Sequence, residues 1–295
     1  MRFGGRRTSR NVESQRGQSF GGGGGLGGGA GLLMGLVASR FGLGGVIVLV
    51  ILLAMFGGLG DMIGGGGQQA VAPHEARQAG GDVCQSDPVT RFSCQVLAST
   101  EDQWSALFAQ AGSRYQAPRM VVYEGGGRSG CGAAQSAMGP FYCPADHGIY
   151  LDTRFFRELS QRYGAPGDFA QAYVIAHEVG HHVQTLTGTS DAIRRAQSAV
   201  REGAANALQV RMELQADCYA GVWAARERNA MEQGDIEEGL AAAAAIGDDT
   251  LQRAGRGRVV PESFTHGSAA QRQEALMCGW RGGDPAACES YTAGI

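Results

Sequence analysis

The chain of 295 residues contains no lysine, and all 25 of its basic residues are arginines. No cysteine precedes position 84, no two cysteines are spaced CxxC, and only six histidines occur. The missing CxxC tells against zinc held by cysteines. Positive charge is scarce beyond the start of the chain. Arg2, Arg6, Arg7, Arg10, Arg16 and Arg40 face a single acid, Glu13, in the first forty positions, a net of +5 that leaves −8 of the whole-chain −3 for residues 41–295. A mildly acidic body repels a phosphate backbone, which excludes nucleic acid as a partner of the folded part. No internal repeat is present.

Hydrophobic residues make up 43% of the chain, enough for one sizeable core. Of the 49 glycines, 23 crowd into the first 70 positions, about a quarter of the chain. Residues 1–40 read as a disordered Arg/Gly-rich tail, having too little apolar surface to offset the entropy of ordering. The run Phe41–Gly60 carries no charge over 20 residues. At ~1.5 Å per helical residue it matches a hydrocarbon core of ~30 Å and reads as a single transmembrane helix. It exceeds a signal-peptide core of 7–15 residues, and no A-x-A pattern directly follows it. The positive-inside rule then assigns the tail to the cytoplasm and the body to the periplasmic or extracellular side. Residues 61–81 read as a flexible linker, and the folded domain is expected over residues 82–295.

Six of the seven cysteines form close pairs in sequence, Cys84 with Cys94, Cys131 with Cys143 and Cys278 with Cys288. Local disulfides suit an oxidising compartment, but six cysteines allow 15 connectivities, among which sequence does not choose. Cys218 reads as a buried free thiol. Within the domain, residues 96–110 have helical spacing behind a cap at Ser99 or Thr100. Residues 119–123 and 148–152 read as strands, with a stapled loop between them. From Phe169 onward the pattern is helical, with a break near Gly203, a helix over Ile236–Ile246, and a last helix opened by a Ser268/Gln271 capping box. The fold class is therefore α+β, mainly helical with a small β-sheet.

The chemistry centres on His177-Glu178-Val179-Gly180-His181. Positions i and i+4 of a helix share a face, so both imidazoles can reach one ion while Glu178 stands beside them without ligating. The preceding Tyr173, Val174, Ile175 and Ala176 make this helix apolar nearly all round. A buried His-Glu-His group without a metal is costly. Gly180 suggests close backbone packing against a second helix. That helix carries Glu213-Leu214-Gln215-Ala216-Asp217, again an i, i+4 pair. Glu213 could supply the third ligand that a catalytic zinc site needs, and Asp217 could accept an imidazole N–H.

This pattern resembles the gluzincins, in which HExxH is completed by a glutamate in E-x-x-x-D. More closely, AHEVGHHVQ, ELQADCYAG and FTHGSAAQR together resemble the "Putative neutral zinc metallopeptidase" family of bacterial membrane-anchored proteins, over about residues 80–295. The resemblance implies a zincin-like domain with His177, His181 and Glu213 as Zn2+ ligands, Glu178 as general base and Asp217 behind a histidine. The Thr265-His266-Gly267-Ser268 turn also resembles the T-H-P segment of membrane CAAX-type proteases, with glycine replacing proline. His266 is either a donor to the developing oxyanion or a surface histidine leading a helix. The expected activity is hydrolysis of extracytoplasmic proteins or peptides; Gly148–Asp152 reads either as an edge strand that aligns an extended substrate or as a buried strand. The alternatives are a membrane-tethered scaffold that keeps zinc for structure, and a regulator whose partner binds the tail.

Overall fold

The computed structural model describes residues 1–18 and 83–295. The chain begins with a short strand β1 (Val12–Ser14) and re-enters at helix α1 (Pro88–Gln110). Strands β2 (Arg119–Tyr123), β3 (Gly126–Ser129), β4 (Gly132–Gln135), β5 (Phe141–Cys143) and β6 (Gly148–Asp152) follow. The rest is helical: α2 (Arg154–Gln161), α3 (Asp168–Leu186), α4 (Thr189–Ser198), α5 (Glu202–Arg226), α6 (Asp235–Ala245), α7 (Asp248–Arg256) and α8 (Ala269–Gly282). This is the expected mainly helical α+β architecture.

The main sheet has the order β1-β2-β6-β5, parallel except for the antiparallel pair β5–β6. Its central strands are continuous apolar runs because both faces are covered. Met120, Val122, Ile149 and Leu151 join the large core shared with the helices. Val121, Tyr123 and Tyr150 face the other way, onto Ala134 and Cys143. The β3–β4 hairpin on that side is tied to β5 by the Cys131–Cys143 disulfide. Of the two readings of Gly148–Asp152 the buried one holds and the edge is ruled out, since this run is the interior strand β6, buried at all five positions. The edge beside it is β5.

Helix α3 runs through the middle of the core and packs on α1, α5, α6 and β5, which explains its apolar surface on nearly every side. It approaches α5 closely. A Cβ on Gly180 would stand 2.9 Å from the Ala216 carbonyl oxygen. Helix α1 starts eight residues before the expected stretch, since Asp87 caps it by accepting from the Thr90 amide at 2.9 Å. Ser99 lies inside that helix and binds Glu227 and Trp223 through its hydroxyl. The break near Gly203 falls just ahead of it, and the Ser268/Gln271 capping box is formed.

The expectation of a disordered tail fails for residues 1–18. β1 pairs in parallel with β2, Val12 opposite Met120, and Phe3 and Val12 are buried in the main core. Of the arginines that looked like a cytoplasmic signature, Arg6, Arg7 and Arg16 pair with carboxylates of the domain and Arg2 donates to the Asn229 carbonyl. No helix among the described residues is long and apolar enough to cross a membrane. The run Phe41–Gly60 and the linker residues 61–81 lie outside the described residues.

Disulfides join Cys84 to Cys94 and Cys131 to Cys143, but the third joins Cys218 to Cys288 and leaves Cys278 free. The reading of Cys218 as a free thiol and of Cys278–Cys288 as a pair is thereby corrected. Gly279 backs α8 against the Cys218 carbonyl of α5, and the 3-10 segment Pro285–Tyr291 returns over α5. Cys288 therefore meets Cys218, both fully buried, while Cys278 keeps a partly exposed position.

Candidate metal centre

The crossing of α3 on α5 at Gly180 and Ala216 brings the two motifs into one buried cluster. His177 and His181 lie one turn apart on α3, with ring centroids 4.7 Å apart. Nε2 of His177 lies 3.2 Å and Nε2 of His181 3.4 Å from Oε2 of Glu213 on α5. The ligand atoms of these three residues all fall within 4.8 Å of one another.

The remaining polar atoms fix which atoms face inward. Nδ1 of His177 donates to Oδ1 of Asp217 at 2.7 Å, and Nδ1 of His181 donates to Oε1 of Gln184 at 2.9 Å. With each Nδ1–H engaged outward, both Nε2 atoms present lone pairs to a carboxylate oxygen. Glu213 is itself aimed by Gln209, whose amide donates to Oε1 at 2.8 Å. Three electron-pair donors facing one another in a buried space require a cation or protons between them, and two imidazoles with a carboxylate are a donor set suited to zinc. The residues present therefore fit the metal.

Asp217 receives four donors: Tyr173 Oη at 2.6 Å, His177 Nδ1, and Arg272 Nε and Nη2 at 2.8 and 2.9 Å. Burial opposes the carboxylate, but Arg272 and His177 outweigh it and hold the pKa of Asp217 at about 2. Glu178 is buried beside His177 and His181, and that burial raises its pKa. Burial likewise disfavours ionised Glu213, yet His181 and His266 hold it well below the usual carboxylate range.

His266 lies in the turn before α8. Oδ2 of Asp248 accepts the backbone N–H groups of Thr265, His266 and Gly267 at 2.7, 2.6 and 3.0 Å, and its Oδ1 stands 3.5 Å from His266 Nδ1. Gly267 has φ +90°, which a proline ring cannot adopt, so glycine in place of the T-H-P proline is a requirement of this turn. Burial lowers the pKa of His266, but the facing Glu213 and Asp248 outweigh this and raise it. Thr265 and Gly267 are buried and His266 half-buried, so the turn is not a freely exposed surface feature. His182, the next residue on the motif helix, points away from the cluster. It donates through Nε2 to the Gln116 carbonyl at 2.6 Å and accepts the Tyr142 hydroxyl at 3.1 Å, and burial lowers its pKa to about 4.

The profile of the family described as "Putative neutral zinc metallopeptidase" matches residues 1–291. The chain belongs to this family. The match begins at residue 1 and so takes in β1, ahead of the expected start near residue 80. The uncharacterized protein YpfJ of Escherichia coli K12 is 46% identical over 300 residues, covering the whole of both chains. The uncharacterized protein Mb2605 of Mycobacterium bovis is 43% identical over 216 residues, 68% of this chain and 71% of its own. No solved structure matches.

His177, Glu178, His181, Glu213, Asp217 and His266 are thus brought together, whereas Tyr173, Gln184, Gln209, Asp248 and Arg272 of the same cluster escaped the sequence reading. Arg272 closes the FTHGSAAQR motif, and an arginine on the first turn behind a capping box was the one available signal for it.

Proposed function

We propose that this member of the family is a zinc-dependent peptidase of the gluzincin type, with His177, His181 and Glu213 as ligands. The observation that supports the reading best is the convergence of three inward electron-pair donors whose outward atoms are already engaged. Zinc in such a site acts as a Lewis acid and lowers the pKa of a water it binds. Glu178, kept basic by burial, takes a proton from the attacking water and returns it to the leaving amine. Asp217, pinned by Arg272 and Tyr173, holds the tautomer of His177. His266, oriented by Asp248, donates to the oxyanion that develops on the peptide carbonyl.

An extended peptide would run along the edge strand β5, which contacts α3 and is tied to it through Tyr142 and His182. Three disulfides favour an oxidising, extracytoplasmic location for the domain and its substrates.

The test is elemental analysis of the purified full chain together with peptide-library cleavage. About one zinc per chain and measurable cleavage are expected. Glu178→Gln should keep the metal and lose cleavage by ~10²-fold or more, and Glu213→Ala should lose zinc affinity. Folded protein without stoichiometric metal would overturn the reading. Cleavage unchanged in Glu178→Gln would overturn the assigned base, and zinc without any cleavage would favour a non-catalytic scaffold.

A further inference from the structure

Residues 1–18 are bound to the catalytic domain at three levels. The backbone of β1 continues the sheet, with Met120 N donating to Asn11 O at 2.7 Å and Gln15 N to Val122 O at 2.8 Å. Phe3 and Val12 are buried in the main core, and the Phe3 carbonyl accepts from Gln95. Ion pairs complete the seam: Arg6 with Glu227 at 2.6 Å, Arg7 with Glu101 at 3.1 Å and Arg16 with Asp87 at 2.8 Å.

Glu101 is the decisive residue. It is buried, and its named partners, Arg7, Ser9 and Asn11, all come from this segment. Take the segment away and the domain holds an uncompensated buried carboxylate and an uncovered edge of β2, both of which are costly. The segment is therefore a strand of the folded unit, and Arg6, Arg7 and Arg16 are structural cations.

We infer that residues 1–18 and the domain of residues 83–295 lie on the same side of any membrane the protein meets. Hydrogen bonds of 2.7–2.8 Å cannot be made across a hydrocarbon core of ~30 Å. One crossing between residues 18 and 83 would separate partners that the fold joins. Arg6, Arg7 and Arg16 count against a cytoplasmic signal on the same ground, because their charges are matched within the fold. Ser9 sits directly on the Cys84–Cys94 staple, its amide 3.0 Å from the Cys94 carbonyl, so the segment shares the compartment in which that disulfide forms.

The inference stands apart from the peptidase reading and is tested without activity. In the full chain carrying Cys278→Ser, single cysteines are placed in the segment (Arg10→Cys, or Gln18→Cys as a second choice) and in the domain (Val200→Cys), at positions exposed in the fold. A membrane-impermeant maleimide is applied to spheroplasts before and after lysis. Labelling of both sites before lysis is expected. Protection of both until lysis would keep the two on one side and move the domain into the cytoplasm. Labelling of one with protection of the other would overturn the inference. Hydrogen exchange of the purified wild-type chain gives a check free of substitutions: the Ser9 and Gln15 amides should be protected with the sheet, and exchange at the rate of unfolded chain would overturn the docking.

Discussion

Arg272 is fully buried and donates to both oxygens of Asp217, to Tyr173 and to the Ile246 carbonyl. A guanidinium taken out of water is stable only because that bidentate carboxylate neutralises it, and the pair is what holds the His177 tautomer. Arg272→Met would leave Asp217 as a buried charge shared between a phenol and an imidazole. We expect a loss of about 3–5 kcal/mol in denaturant unfolding and a 10–100-fold weaker zinc affinity by chelator competition. Unchanged zinc affinity would reduce Arg272 to a packing role. His177, Glu178, His181, Glu213 and Asp217 were legible because helical geometry alone puts i and i+4 on one face. Arg272 and Asp248 were not, since they reach the centre only when α8 folds back onto α5 and the start of α7 binds the turn before α8, which no local spacing encodes.

Helices α3 and α5 carry the two halves of the centre, and their separation is set at Gly180. Alanine there would gain about 1 kcal/mol of helix propensity. Its Cβ, however, would meet the Ala216 carbonyl oxygen at 2.9 Å and Ala216 Cα at 3.0 Å, and backbone cannot yield as a flexible side chain does. Overpacking of this kind costs about 1–3 kcal/mol, so Gly180→Ala should be destabilising on balance. Because the relief is a shift of α5 away from α3, zinc affinity should fall as well, measured in the same competition assay. The glycine was legible as a close-packing signal from the sequence. The start of α1 was not, because apolar periodicity appears only where the helix is buried, well inside its capped end. That end makes a pH prediction. Burial opposes the Asp87 carboxylate, but hydrogen bonds from Thr90 and Arg16 outweigh it and lower its pKa from 3.8 to about 2. A pKa depressed in the folded state gives stability that is complete above about pH 4 and is lost as the pH falls toward 2. Asp87→Asn should keep the cap and flatten that acid limb in thermal melts. An acid limb equal to the wild type would assign the dependence to other carboxylates.

The three disulfides divide the molecule's constraint unequally, and the division differs from what sequence neighbours suggest. Cys84–Cys94 and Cys131–Cys143 close spans of 10 and 12 residues, whereas Cys218–Cys288 closes 70. The short pairings were legible because the chain has little room to part them. The long one depends on the C-terminal 3-10 segment crossing α5, a tertiary contact with no local trace, and Cys278 was a nearer but misdirected partner. Peptide mapping of non-reduced protein should therefore find Cys278 alkylated and a Cys218–Cys288 cross-link, and a Cys278–Cys288 cross-link would refute the arrangement. The loop-entropy model gives about 4 kcal/mol for a closure of 70 residues and about 3 for one of 12. The more telling difference is positional. Cys218 follows Asp217 on α5, so its bridge braces the helix that carries Glu213, while Cys131–Cys143 braces the hairpin and β5. Removing the long bridge by Cys218→Ala with Cys288→Ala should lower both unfolding stability and zinc affinity. Removing the short one by Cys131→Ala with Cys143→Ala should lower stability but leave zinc affinity near that of the wild type. Equal losses of zinc affinity from the two pairs would mean that the centre senses overall stability and not the bracing of α5.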